Sequence, residues 1–148
     1  MSKPTLETVL LDVDDRGVAT ITLNRPEVHN ALNGDVIDDL RKVAAWINSQ
    51  DNLRVAILTG TGKSFCSGGD FNWFSGNLTK SRTERVEGSA ELAYMLHDLD
   101  TLKIPLVGRI NGPAYGGGVG MISVCDISIA ADTARFGLTE VRVGLLPA

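Results

Sequence analysis

The sequence predicts an α/β domain: a largely parallel sheet with crossover helices. Three observations carry that prediction. Apolar runs of strand length alternate with segments whose apolar residues recur every three or four positions. One run, Val55-Ala56-Ile57-Leu58, is apolar on both faces, as expected of a central parallel strand covered by helices. Two strands are each followed by a glycine-crowded turn and a helix start, the junctions at which parallel sheets bind ligands. The 148 residues and 43% hydrophobic content are enough for one buried core. The 22% charged content is that of a globular chain and not of a disordered one.

Taken in order, residues 5–12 and 18–23 read as strands joined by the hairpin signal Asp14-Asp15-Arg16-Gly17. In the second strand Val18, Thr20 and Thr22 alternate with Ala19, Ile21 and Leu23, so one face is expected to be buried. Pro26 cannot continue the ladder and ends it. Asn33 is the predicted N-cap of a helix whose apolar stripe is Val36, Ile37, Leu40, Val43, Ala44 and Ile47. Residues 54–59 form the next strand. The segment 60–64 that follows invites a phosphate-loop reading, but the required first glycine is Ile57, so the motif fails. Residues 65–70 form the first glycine turn, with a short helix beyond it.

Residues 77–82 read as a polar, mobile loop. Ser81-Arg82-Thr83-Glu84 matches a capping box and opens a long helix with Val86, Ala90, Ala93, Leu96, Leu99 and Leu102 as its buried face. A strand over 104–110 leads into the second glycine turn, 112–120, and a short helix over 119–124. Residues 126–130 form a further strand, 134–136 pair nearby, and Thr139-Glu140-Val141 begins another segment. The apolar end, 143–148, reads as the entry to a further element, so the chain is expected to be truncated, with exposed apolar surface near 141–146.

Composition excludes several functions. The net charge of -4, with no large Lys/Arg cluster, disfavours nucleic acid and anionic membranes as partners. No apolar run approaches the roughly 20 residues that span a bilayer. The N-terminus has no signal or transit pattern, so a cytoplasmic location is expected. Cys66 and Cys125 have no metal-type spacing and read as reduced thiols, with Cys125 in the core. No metal site is expected. His29 and His97 fit no serine or metal constellation, Trp46 and Trp73 read as packing residues, and Asp70 reads as a helix cap.

The chemistry turns on the two glycine loops. A strand, a glycine turn and a helix start aim unpaired backbone N–H groups at one point, which suits an anion or a polarised oxygen. Taken alone, the triple glycine 116–118 reads equally as a tight turn or as close packing of helix on sheet. Two such loops at the carboxyl ends of neighbouring strands could direct two N–H donors at one oxygen, which is an oxyanion hole.

These residues resemble the crotonase (enoyl-CoA hydratase/isomerase) superfamily. The likeness is carried by Asn24-Arg25-Pro26 with Asn30-Ala31-Leu32, by 62–70, by 112–120, by Cys125-Asp126, and by 136–147. It extends over the whole chain and implies the ClpP/crotonase fold of ββα units. Residues 1–148 would then be the N-terminal core of a single crotonase-like domain, without the C-terminal helices.

The resemblance also implies the site. Gly69 and Gly117 would donate their N–H groups to the thioester carbonyl of an acyl-CoA, and Glu140 would be the general acid/base. Phe65, Cys66, Ser67, Gly68, Gly116 and Gly120 would line the substrate site, with 65–68 edging the coenzyme A groove. Coenzyme A would be part of the substrate, and no further cofactor is implied. Family hydratases carry another glutamate just after the triple glycine. Here that position is Gly120.

The implied activity is hydration of an α,β-unsaturated acyl-CoA. The wording looks closest to the 3-methylglutaconyl-CoA hydratase-like group. An enoyl-CoA isomerase using one glutamate and a non-catalytic acyl-CoA binder remain as alternatives. Full-length members would form homotrimers or dimers of trimers. RNA-binding members use a lysine-rich first helix, whereas Arg41 and Lys42 here sit beside Asp35, Asp38 and Asp39.

Overall fold

A computed structural model of the chain describes residues 2–77 and 80–144. A five-stranded sheet runs in the order β1-β2-β3-β4-β6, from β1 (Val9–Val13), β2 (Val18–Leu23), β3 (Val55–Gly60), β4 (Leu106–Ile110) and β6 (Ile127–Ala130). β1 and β2 form an antiparallel hairpin, and every later pairing in this sheet is parallel. The hairpin turn is closed by Asp14, whose Oδ1 accepts the N–H groups of Arg16 and Val18, with Gly17 at φ 79°. A separate two-stranded parallel ladder pairs β5 (Ala114–Tyr115) with β7 (Phe136–Gly137).

Helix α1 (Gly34–Asn48) starts as the sequence requires: Asn33 Oδ1 accepts the Val36 N–H. Its predicted stripe is buried in one apolar core shared with Ala19, Ile21 and Leu23 of β2, Ala56 and Leu58 of β3, and Leu106 and Ile110 of β4. Helix α2 (Phe71–Asn77) follows the first glycine turn, so Asn77 ends a helix instead of opening a loop; residues 78 and 79 lie outside the described residues. The capping box of α3 (Arg82–Asp100) forms as predicted, with Ser81 and Glu84 exchanging hydrogen bonds. Helix α4 (Gly117–Ser123) begins within the triple glycine, two residues earlier than predicted.

Four expectations need correction. β1 begins at Val9, not at residue 5. The preceding Glu7 and Thr8 N–H groups instead donate to the buried Asp39 of α1, each at 2.8 Å, so a carboxylate takes the place of a ladder. Burial opposes that charge, but the N–H groups of Thr8 and Glu7 and the Thr8 hydroxyl hold the carboxyl below its ordinary value. The face assigned to α3 is buried only in its second half. Val86 and Ala93 are exposed, whereas Met95 and Leu99 are buried, because the first α3 residue packed on the core is Leu92. The sheet also differs: among the described residues only one of its faces is fully covered, Val55, Ile57 and Val107 on the other face being half-buried and Ile127 and Ile129 exposed. Cys125 packs at the edge of the core, only partly buried.

Candidate active site

The first glycine loop is built by pairing residues 66–70 against residues 29–32. Leu32 forms an isolated parallel bridge with Gly69: its N–H donates to Gly68 O at 2.7 Å, and its carbonyl accepts the Asp70 N–H at 2.8 Å. In such a bridge the flanking residues make the bonds, so Gly69 turns its own N–H to the opposite side. Side chains brace the pair. Asn30, in the left-handed region at φ 55° and buried, accepts the Arg25 N–H and donates to Thr61 O and Ser64 O. The Arg25 guanidinium reaches Ala31 O at 2.7 Å and Asp70 at 3.1 Å. Asp70 caps α2 through the Asn72 and Trp73 N–H groups. Desolvation would raise the Asp70 carboxyl, but Arg25 and these N–H groups hold it below its ordinary value.

The second turn is built differently. The β5–β7 ladder continues into it through the Gly116 N–H, which donates to Gly137 O at 3.0 Å. Gly116 then adopts φ 49° and ψ -120°, a conformation that L side chains resist. The next two positions exclude a side chain for lack of space. A Cβ on Gly117 would lie 2.7 Å from Leu32 Cδ1, and one on Gly118 would lie 2.7 Å from Cys66 O. The two loops are therefore in contact, and Leu32 belongs to both: its backbone pairs with Gly69 and its side chain fills the space beside Gly117. Among the described residues, neither the Gly69 N–H nor the Gly117 N–H has a hydrogen-bond acceptor.

Glu140 reaches this point from the turn that follows the ladder. It opens a 3-10 turn, Glu140–Val143, directly beyond β7. Its carboxylate packs on the turn itself: a Cβ on Gly116 would lie 2.9 Å from Glu140 Oε1. Glu140 Oε2 is buried and has no hydrogen-bond partner among the described residues. A buried carboxylate oxygen left unpaired is costly, and among the described residues Trp46 Nε1 is buried and unpaired as well, but the Glu140 oxygen lies beside the glycine turn.

The remaining predicted site residues separate into two groups. Ser67 and Gly69 are exposed, and Gly116 and Gly120 are partly exposed. Phe65 and Cys66 are fully buried, and their N–H groups both donate to Pro113 O, so they support the loop from within the core. Burial pushes the Cys66 thiol up to about 12, which leaves it protonated and unreactive at neutral pH. Gly68 is buried against Tyr115. Gly120 faces α3: a Cβ there would meet Leu96 at 3.5 and 3.7 Å, an ordinary contact. His29 lies at an exposed turn, its Nδ1 3.0 Å from Ser64 Oγ. Among the described residues no group of three or more His, Cys, Asp or Glu could hold a metal, and no helix is long and apolar enough to cross a membrane.

The positioning roles of Arg25, Asn30 and Leu32 were not readable from the sequence. They depend on contacts such as Arg25 to Asp70, which are 45 residues apart and follow no helical or strand period.

A ββα sheet with two touching glycine loops, one of them packed against a partly buried glutamate, defines the chain's class as the crotonase fold. The chain belongs to the enoyl-CoA hydratase/isomerase family: the sequence model of that family matches residues 14–148. An enoyl-CoA hydratase from Alternaria alternata is 40% identical over 136 residues, covering 89% of this chain and 42% of the relative. A mevalonyl-coenzyme A hydratase from Aspergillus fumigatus is 32% identical, covering 96% of this chain and 52% of the relative. The crystal structure of an enoyl-CoA hydratase from Shewanella pealeana superposes with a TM-score of 0.93 at 31% identity, covering 97% of this chain and 54% of that one. Pseudomonas aeruginosa AtuE gives 0.90 at 34% identity, covering 95% and 54%. The chain thus spans about half the length of the relatives it matches.

Proposed function

We propose that the protein hydrates an α,β-unsaturated acyl-CoA thioester. The observation that carries this reading is the buried, unpartnered Glu140 Oε2, set against the turn whose Gly117 N–H is free and which touches the loop carrying the free Gly69 N–H. The two N–H groups grip the thioester oxygen. Glu140 takes a proton from water as the water oxygen bonds to the β carbon. The π electrons move onto the thioester oxygen, giving an enolate whose charge the two N–H groups offset. As the enolate collapses, Glu140 returns its proton to the α carbon. One water has been added, and the glutamate is regenerated. Oxyanion donors of this kind contribute about 3–4 kcal/mol each, and a positioned acid/base contributes about 10²–10⁴-fold.

A single carboxylate suffices for this cycle, which accords with Gly120 in place of a further glutamate. The same feature favours a second reading, isomerisation, in which Glu140 carries a proton from one carbon of an enoyl chain to another. A branched acyl group, of the glutaconyl kind, is the favoured substrate class. The relative named a mevalonyl-coenzyme A hydratase supports a branched chain. Ser67, the exposed residue of 65–68, edges the coenzyme A arm while the buried Phe65, Cys66 and Gly68 support it from behind, no separate cofactor takes part, and the working protein is a cytoplasmic homotrimer or dimer of trimers.

The test is turnover of crotonyl-CoA and of 3-methylglutaconyl-CoA by the protein and by Glu140→Gln. The proposal expects a 3-hydroxyacyl-CoA product and a loss of about 10²-fold or more in the variant. A shifted double bond would favour isomerisation. Equal activity in both proteins would remove Glu140 from the mechanism, and binding without turnover in either would make the protein an acyl-CoA binder.

A further inference from the structure

We infer that Arg25 and Asp70 are positioning residues for the Gly69 donor, an inference that rests on the oxyanion reading above. One guanidinium holds both halves of the bridge that orients the Gly69 peptide. Nη1 donates to Ala31 O at 2.7 Å, and Ala31 directly precedes Leu32. Nη2 donates to Asp70 Oδ2 at 3.1 Å, and Asp70 directly follows Gly69. The clamp is itself fixed at each end. The Arg25 backbone N–H donates to Asn30 Oδ1, and its carbonyl accepts the Asn30 N–H, each at 2.9 Å. The other Asp70 oxygen is held by the first N–H groups of α2.

Shielding separates this ion pair from the rest. The Arg25 and Asp70 side chains are 19% and 12% exposed, whereas every other ion pair among the described residues has a partner at least 36% exposed. Exposed pairs hold geometry weakly, whereas a shielded, charge-assisted hydrogen bond holds it better, and here the same guanidinium also donates to a backbone carbonyl. The pair ties together the two segments that form the Leu32–Gly69 bridge, so it acts on the geometry of the residues it joins. Gly69 has no side chain to anchor its own peptide. Without the clamp, the plane of the donor is left to the two Leu32 bonds and to the long contacts of Gly68 with Cys66 Sγ. Donor misplacement of about 1 Å costs roughly 10²-fold in rate.

The test uses Arg25→Met, Arg25→Lys and Asp70→Asn, with crotonyl-CoA as substrate and the Gly69 and Gly117 amide signals of ¹⁵N-labelled free protein as a second readout. Arg25→Met is expected to lower kcat by about 10²-fold with little change in KM. Arg25→Lys restores part of the loss by keeping one of the two contacts. Asp70→Asn keeps the α2 cap and falls between them. In the free protein the Gly69 amide signal broadens or doubles in Arg25→Met while the Gly117 signal stays in place. Wild-type kcat in Arg25→Met, or equal disturbance of both amides with a matching fall in thermal midpoint, overturns the inference. If the wild type turns nothing over, the hydratase reading fails, and the free-protein Gly69 signal alone decides whether Arg25 positions that amide.

Discussion

The two glycine loops present the same group, a backbone N–H without an acceptor, but they are held in opposite ways. The first is held by side chains: Arg25 and Asn30 reach in from elsewhere, and Arg25 grips the loop's own Asp70. The second is held by a backbone ladder and by the absence of side chains at 116–118, where any Cβ would collide with Glu140, Leu32 or Cys66. The first loop should therefore fail when atoms are removed, and the second when atoms are added. Leu32 is where the two designs meet.

That contrast can be broken most severely at Leu32, which is 2% exposed. Leu32→Ala should cost about 2–5 kcal/mol and loosen both loops, measured by chemical denaturation and by amide exchange at Gly69 and Gly117. Gly118→Ala tests the second loop alone. Its Cβ would meet a carbonyl oxygen, which cannot rotate away, so a loss of about 1–3 kcal/mol is expected. An unchanged unfolding midpoint would show that α4 can slide. Asn30→Ala is the matching experiment on the first loop. It leaves the Arg25 N–H and the Thr61 and Ser64 carbonyls short of a partner, at about 1–3 kcal/mol.

A smaller effect is set by pH. The Asp70 carboxyl is held below the ordinary 3.8 in the folded protein, so its stabilisation is complete above that value and is lost as pH falls below it. Thermal midpoints taken from pH 5 to pH 3 should fall less steeply in Asp70→Asn than in the wild type. The smallest effect has the opposite sign. Gly120 lies inside α4, where a Cβ makes only ordinary contact with Leu96, so Gly120→Ala should stabilise by up to about 1 kcal/mol. Destabilisation there would mean that the empty space at 120 is needed by the fold and not only by the chemistry.

Much of the frame was legible in the sequence because its signals are local. The Asn33 cap, the Ser81–Glu84 box and the α1 stripe depend on spacings of three and four residues, and each formed as read. Val86 misled because a helix's own periodicity cannot say how far its partner extends. The β5–β7 ladder was legible only as a nearby pairing of 134–136, its partner 114–115 going unread because two-residue strands have no period, yet it is what brings Glu140 to Gly116. The two loops were legible as glycine turns, and the resemblance named their donors. The means of holding the first loop lay in contacts between residues far apart in the chain.

The central claim is that two backbone N–H groups polarise one thioester carbonyl. It is tested most directly by infrared difference spectroscopy of crotonyl-CoA carrying ¹³C at the carbonyl. The bound carbonyl band should move to lower frequency in the wild type and equally in Glu140→Gln, because the donors do not depend on the carboxylate. A bound thioester whose carbonyl absorbs as it does in free solution would contradict the oxyanion reading of both loops.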